Sequence, residues 1–354
     1  MVEHLRGEID FFILTRDTDY CETEPYSSVI SDQWTKFKDG VSVFYFSRKF
    51  LSVGNLKKVA LEANCEQWNI NGIYSFYFSI LPLFLGRNQS KIRLLVSSRG
   101  MLSPHALAVK TLKKKLLLNF FKGFGFYDNV DFHATNQSEA YQIEKQIGKG
   151  KTILIAPNLP KPAPTVNPGY KKKKTQLLKL ISLARVSAEK NTLGALEILT
   201  KVESEVCLDW YGQVYDQSYM IQCEEIKNQL PDNVEVNFHD SISPDKIPSV
   251  LEQFHLLFSP TQGENFGHSI FESLMAGLPV IISDQTPWNN LEEKGIGWDI
   301  SLEKPEQFVQ AIEKAAAMSQ SEYHKMSQAS YDFAKLFAES PEVLEANRKL
   351  FDLT

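Results

Sequence analysis

Two glutamates eight positions apart, Glu264 and Glu272, stand in the stretch GENFGHSIFESLMAGLPVIISD, residues 263–284. Between them a small turn holds Asn265 and Gly267. A helix follows, then a Gly277-Leu278-Pro279 stop and an apolar run that reads as a buried strand. Eight residues of α-helix rise about 12 Å. Because Glu264 precedes the helix, the gap is somewhat less. It still lets one carboxylate meet a hexose while the other meets a ribose. Amides freed at the helix start, with the positive end of its dipole, can hold a diphosphate between them. The ligand this chemistry fits is long, rich in hydroxyls and doubly charged, such as a nucleotide sugar. Two idle glutamates on an amphipathic helix would also give the spacing. The rarer Gly-Glu-Asn-Phe-Gly start and Ala-Gly-Leu-Pro-Val exit favour the ligand.

This stretch resembles the E-x7-E signature of the family 4 retaining glycosyltransferases, which have the two-domain GT-B fold. The resemblance implies that Glu264 touches the transferred sugar and Glu272 accepts hydrogen bonds from ribose hydroxyls. Asn265, Phe266, Gly267 and His268 would offer backbone amides at the helix start. His268 is equally readable as a donor to the β-phosphate or as a polar residue beginning a helix. The segment 183–191, with Arg185 and Lys190 five residues apart, is similar to the family's cation pair that grips the donor diphosphate. Fixed cations stabilise the charge that grows on a leaving nucleoside diphosphate. Arginine does so in a bidentate fork and lysine as a point charge. This pair is expected on the helix after the first strand of the second domain, with Ser187 and Glu189 as caps. Residues 283–288 either line the donor pocket or form a structural turn.

The elements that must position these groups follow from size and pattern. A chain of 354 residues exceeds what one hydrophobic core usually supports, so two domains are expected. Apolar runs alternate with amphipathic helices, the pattern of parallel α/β sheets. Strands are expected at 11–15, 41–46, 92–97, 130–134 and 153–156, then at 177–183, 206–211, 234–238, 255–259, 280–283 and 298–300. The fold class expected is α/β GT-B, two doubly wound Rossmann-like domains facing a cleft. In such sheets ligands bind beyond the carboxyl ends of the strands. Five prolines and a glycine in residues 157–169 make a stiff connector. The lysines at 171–174 read as a solvated approach to a strand. The division is then 1–160 for an acceptor-side domain, 161–174 for the linker, 175–340 for the donor domain and 341–354 for a helix. By resemblance that helix crosses back to the first domain.

Composition excludes several other classes. A net charge of −5 argues against nucleic acid as a partner. Cys21, Cys65, Cys207 and Cys223 are scattered and read as reduced thiols of a cytoplasmic protein, not a zinc site. The first eight residues are polar, unlike a signal peptide. The most apolar stretch, 73–85, contains Pro82 and is shorter than the roughly 20 residues of a membrane span, so a buried helix is expected. Residues 110–126, KTLKKKLLLNFFKGFGF, suit either peripheral contact with an anionic membrane, such as the inner membrane, or a packed helix with solvated lysines. The packed helix is the favoured reading. Asp17-Thr18-Asp19 reads as a turn and not as a metal site.

In the first half, residues 94–107, 133–139 and 156–158 also resemble the family. Many relatives carry a histidine where this chain has Arg99, which would then support the sugar or the acceptor, although arginine is a poor general base. Asn136 and Glu139 are expected to cap a helix reciprocally. Relatives open with a strand, a glycine-rich loop and a helix. Here residues 1–7 look like the end of that helix and 11–15 like the second strand. The first strand and its loop would therefore be missing and apolar sheet edge exposed. The expected activity is metal-independent, retaining transfer of a hexose-type sugar, with no cofactor. The donor would be a nucleotide sugar, UDP- or GDP-linked. The acceptor would be a glycan or lipid-linked molecule in bacterial surface polysaccharide synthesis (lipopolysaccharide, capsule or exopolysaccharide). Alternatives are a catalytically impaired sugar-nucleotide-binding partner protein and a GT-B-fold nucleotide-sugar epimerase.

Overall fold

The structure, a computed structural model, describes residues 1–19, 21–108, 111–160 and 177–353. Most of the proline-rich connector and the lysines at 171–174 fall outside these residues. The chain forms two compact units, Met1–Leu159 with Pro341–Thr354, and Pro160–Ser340.

Among its described residues the first unit holds seven strands in two sheets. Strands β1 (Phe11–Arg16), β2 (Trp34–Lys38) and β3 (Val41–Phe46) pair in the order β1-β3-β2. Strands β4 (Gln67–Asn71), β5 (Arg93–Ser97), β6 (Asp131–Ala134) and β7 (Ile153–Ile155) form a parallel sheet in sequence order. The antiparallel β2–β3 pair turns at Asp39-Gly40, where Gly40 has φ 72° and its missing Cβ would lie 2.6 Å from the Arg6 carbonyl oxygen. Asp-Gly is a strong hairpin signal, and the expectation of a single sheet overlooked it. Strand β1 pairs only with β3 among the described residues, and none of its six residues is buried.

Residues 73–85 also depart from expectation. A π-helical turn, Phe76–Ile80, runs into the helix Leu81–Gly86; Leu81 and Leu83 are buried, whereas Phe76 and Phe84 are exposed. The helix Thr111–Gly123 buries Leu118 and Phe121 over the β4–β7 sheet and leaves its other face in solvent. The C-terminal helix Pro341–Lys349 belongs to this unit. Asn347 Nδ2 donates to the Pro157 carbonyl at 2.8 Å, and Arg93 Nη1 to the Leu350 carbonyl at 3.0 Å.

Among its described residues the second unit forms one parallel sheet of six strands: β8 (Leu178–Leu183), β9 (Val206–Tyr211), β10 (Val234–His239), β11 (Leu256–Ser259), β12 (Val280–Ser283) and β13 (Gly297–Ile300). Their order, β10-β9-β8-β11-β12-β13, reverses direction between β8 and β11. Because helices cover both faces, central strands need not alternate; every residue of β11 and β12 is buried, and β8 exposes Lys179 between the buried Leu178 and Leu180. Successive residues of β8 feed opposite cores, Leu178 and Leu180 packing near Phe308 and Ile312, and Ile181 near Leu274 and Tyr331.

Candidate active site

In a doubly wound sheet, the loops after the two strands flanking the reversal point diverge and leave a crevice at the carboxyl ends. In the second unit those loops are 184–191, after β8, and 260–267, after β11. They carry Arg185, Lys190, Glu264, Asn265 and Gly267. The two loops are stapled together. Gln262 N donates to the Glu189 carbonyl at 2.9 Å, and Asn191 Nδ2 to the Pro260 carbonyl at 2.9 Å. Lys190 Nζ meets Glu264 Oε1 at 2.7 Å, with both side chains largely buried. Residues 74 positions apart thus form one charged centre.

The first loop differs from the helix expected there. The helix begins only at Thr192, with Asn191 at its N-cap in the left-handed region (φ 56°) and no side-chain cap. Residues 184–186 instead prolong the pairing of β8 with β9, since Val186 bridges Val214 and Ala184 N donates to the Tyr211 carbonyl, and residues 187–191 form a turn. Glu189 caps nothing; its carboxylate lies 3.3 Å from Arg185 Nη2 on the surface. Ser187 Oγ closes the turn by accepting from Lys190 N. Gly212, at the end of β9, makes this path possible, because a Cβ there would lie 2.0 Å from the Ala184 carbonyl oxygen. A glycine directly after a strand was the available signal for this contact, and it was overlooked.

The second loop is anchored from β12: Ser283 Oγ donates to the Thr261 carbonyl at 2.6 Å, and Glu264 N to the Gln285 carbonyl at 3.0 Å. Gly267 caps the helix His268–Met275 in a left-handed conformation (φ 76°, ψ 65°), without a side-chain cap hydrogen bond. A Cβ at Gly267 would lie 2.8 Å from Ile270 Cδ1, so the missing side chain makes room for the core and permits the left-handed turn. The Phe266 ring is core, packed on Phe271, Trp288 and Phe337. Only its backbone remains for the amide role read from sequence. His268 is exposed at the first helical position, and Glu272 lies half-buried one turn along the same helix. Asp284 and Gln285 are exposed after β12, while Trp288 is buried.

In the first unit, the carboxyl ends of β4, β5 and β7 bring together Asn71, Arg99 and Asn158. Arg99 sits at φ 51° and donates from Nε to Asn71 Oδ1 at 3.0 Å and from Nη1 to Asn158 Oδ1 at 2.6 Å. Burial lowers the pKa of its guanidinium, against the pull of Glu139. Asn71 ends a short polar strand that carried no sequence signal. The reciprocal cap is only half formed: Asn136 Oδ1 accepts from Glu139 N, but the Glu139 carboxylate turns the other way. It accepts from Ser98 Oγ, Gly100 N, Thr135 N and Thr135 Oγ1, all within 2.8 Å. Burial works to raise the Glu139 pKa, yet these bonds hold it below the ordinary carboxylate value. Glu139 therefore fixes the loop that presents Arg99. His133, fully buried, donates from Nε2 to the Ala156 carbonyl and so accepts from Ser97 Oγ at Nδ1. That leaves it a neutral structural histidine, its pKa lowered chiefly by burial.

Asp17 is buried and accepts from Ser31 Oγ at 2.9 Å. Among the described residues, no cluster of His, Cys, Asp or Glu is arranged to hold a metal ion, and no helix is long and apolar enough to cross a membrane.

Residues 167–333 match the family described as glycosyl transferases group 1. No curated protein matches this sequence. Among solved structures, the chain is similar to sucrose-phosphate synthase from Thermosynechococcus elongatus, with a TM-score of 0.70 at 13% identity, covering 97% of this chain and 89% of that one. It is also similar to Anabaena HepE in complex with UDP and glucose, with a TM-score of 0.68 at 15% identity over 88% and 85% of the two chains. A third is WaaG, a glycosyltransferase involved in lipopolysaccharide biosynthesis, with a TM-score of 0.56 at 13% identity over 89% and 87%. The chain thus has the GT-B fold, and its second unit carries the match to glycosyl transferases group 1.

Proposed function

We propose that this protein is a retaining, metal-independent glycosyltransferase of the family 4 type. It moves a hexose-type sugar from a UDP- or GDP-linked donor to a glycan or lipid-linked acceptor in bacterial surface polysaccharide assembly. The observation that carries the reading is the junction of the loops after β8 and β11, where Lys190 pairs with Glu264 ahead of the helix that Gly267 caps, and where Arg185 stands on the same loop as Lys190, paired with Glu189. Lys190 and Glu264 neutralise each other in the free protein. When the donor binds, Lys190 turns to its phosphates with Arg185 and the amides at Gly267, and Glu264 accepts from a sugar hydroxyl. Glu272 accepts from the ribose. As the glycosidic bond stretches, charge builds on the departing diphosphate, and these fixed cations and dipoles stabilise it without a metal. The acceptor hydroxyl attacks the anomeric carbon on the face from which the diphosphate leaves and passes its proton to the departing phosphate oxygen, so the bond to the diphosphate is exchanged for one to the acceptor and configuration is retained. The match to glycosyl transferases group 1 and the likeness to a protein crystallised with UDP and glucose support this reading.

Thermal melting with saturating UDP, GDP, ADP and CMP in turn tests it. Ligand at a hundred times its dissociation constant adds about 2.7 kcal/mol, which raises Tm by roughly 5–10 °C for a unit of this size. A rise with UDP or GDP is expected. No rise with any of the four would overturn the proposal. With the donor identified, the product anomer seen by NMR decides between retention and inversion.

A further inference from the structure

Residues 67–127 contain nine lysines and arginines and not one aspartate or glutamate. The whole chain has 43 acids in 354 residues, a density that would place about seven in such a stretch. Its net charge is −5, so this positive region runs against the balance of the molecule. The same region exposes an apolar stripe. On the helix Thr111–Gly123, Leu112, Leu116 and Phe120 recur every fourth residue and are 72%, 61% and 51% exposed, and Phe124 beyond it is 65% exposed. The stripe extends across the surface through rings: Phe120 lies 4.5 Å from Phe124 and 6.4 Å from Phe126, and Phe126 stacks on the exposed Phe84 of the preceding helical segment at 6.2 Å.

Single exposed apolar residues are ordinary, but a contiguous patch marks a contact surface. The core does not need this face, because the helix already buries Leu118 and Phe121 on its other side. At 3.6 residues per turn, Lys115 and Lys122 run along one flank of the stripe and Lys113 along the other. Arg87 sits over the Phe126 ring at 5.3 Å. Long basic side chains beside apolar ones can keep their charge at the headgroups while the rings and leucines enter the acyl boundary. A second copy of this chain is a poorer occupant, since a two-fold contact through the stripe sets its lysines against their own copies.

We propose that this stripe, with Arg87, Lys113, Lys115 and Lys122 around it, docks the protein on an anionic lipid surface. The surface acts independently of whether a nucleotide is bound. The experiment is co-sedimentation of the full chain with vesicles of phosphatidylcholine alone and with one third phosphatidylglycerol. Expected is capture by the anionic vesicles that weakens with salt. Replacing Lys113, Lys115 and Lys122 with Ser should lower it on the order of a hundredfold. L116S with F120S should lower it at least tenfold while leaving the melting curve unchanged, because both residues are exposed. Equal capture by the two vesicle types would overturn the proposal. So would capture that the lysine changes abolish but L116S/F120S does not, since any polyanion would then serve. A lipid-free dimer lost in L116S/F120S would instead assign the stripe to a second copy and also overturn it.

Discussion

Replacing Gly212 with alanine tests whether the prolonged β8–β9 pairing sets the geometry of the charged centre. The added Cβ would lie 2.0 Å from the Ala184 carbonyl oxygen, 2.5 Å from its carbon and 3.0 Å from the Arg185 nitrogen. These are backbone atoms, so no side chain can swing aside. The Ala184 carbonyl also accepts from Trp210 Nε1 at 2.7 Å, and Ala184 N donates to the Tyr211 carbonyl. Relief therefore requires the segment to move by about 1 Å and strains at least one of these bonds, at a cost typical of overpacking, about 1–3 kcal/mol. For a unit of this size, that lowers Tm by roughly 2–12 °C. The shift also displaces Arg185, and a 1 Å misplacement at an active site can cost about a hundredfold in rate. The assays are thermal melting and binding of the nucleotide chosen by the panel, with G54A as a control. A Cβ at Gly54, within the helix Val53–Glu62, meets nothing within 4 Å and should stabilise slightly. Wild-type melting and wild-type nucleotide affinity in G212A would refute the coupling between β9 and the Arg185 loop.

Glu272→Ala should weaken binding of the nucleoside diphosphate by about tenfold, in line with a charge-assisted hydrogen bond. The 2′-deoxy nucleotide should lose less against E272A than against wild type, as titration calorimetry would show. Glu139→Ala strips four donors of their acceptor in a buried site and should destabilise by about 3 kcal/mol or more, visible as a lower Tm. His133 supplies a pH dependence. Its folded pKa lies below the ordinary 6.5, so the unfolded chain binds the proton more readily. The stability it contributes is full above about pH 6.5 and falls as the solution is acidified toward the folded pKa. Tm measured against pH should drop below that point in wild type and more shallowly in His133→Gln.

The second unit was legible in sequence because its strands are buried on both sides. Runs such as Val280–Ser283 and Leu256–Ser259 are apolar at every position or nearly so, and each was placed within a residue of its observed bounds. The glutamate turn was legible for a different reason: the Gly-Glu-Asn-Phe-Gly start is a rare local pattern, and its second glycine, Gly267, does take a left-handed conformation. The first unit was harder. Strands β2 and β4, WTKFK and QWNIN, mix polar and apolar residues at sheet margins, where burial imposes no clean pattern. The Glu139 side chain was misplaced because local spacing suggested a cap, whereas the loop after β5, some forty residues earlier in sequence, offered more donors. The loop before Thr192 read as helix because its cross-strand tie to Val214 is a tertiary contact that no local propensity reports.

The central claim is that the loops after β8 and β11 hold a donor diphosphate. Titration calorimetry of UDP and uridine, or of the guanine pair if GDP is the ligand, against wild type and the R185A/K190A variant tests it most directly. Each charge-assisted bond to phosphate is worth about 1.5–3 kcal/mol. The diphosphate should therefore bind wild type at least a hundredfold more tightly than the nucleoside, and the variant should reduce that ratio to below tenfold while leaving nucleoside binding nearly unchanged. An undiminished ratio in the variant would contradict the account.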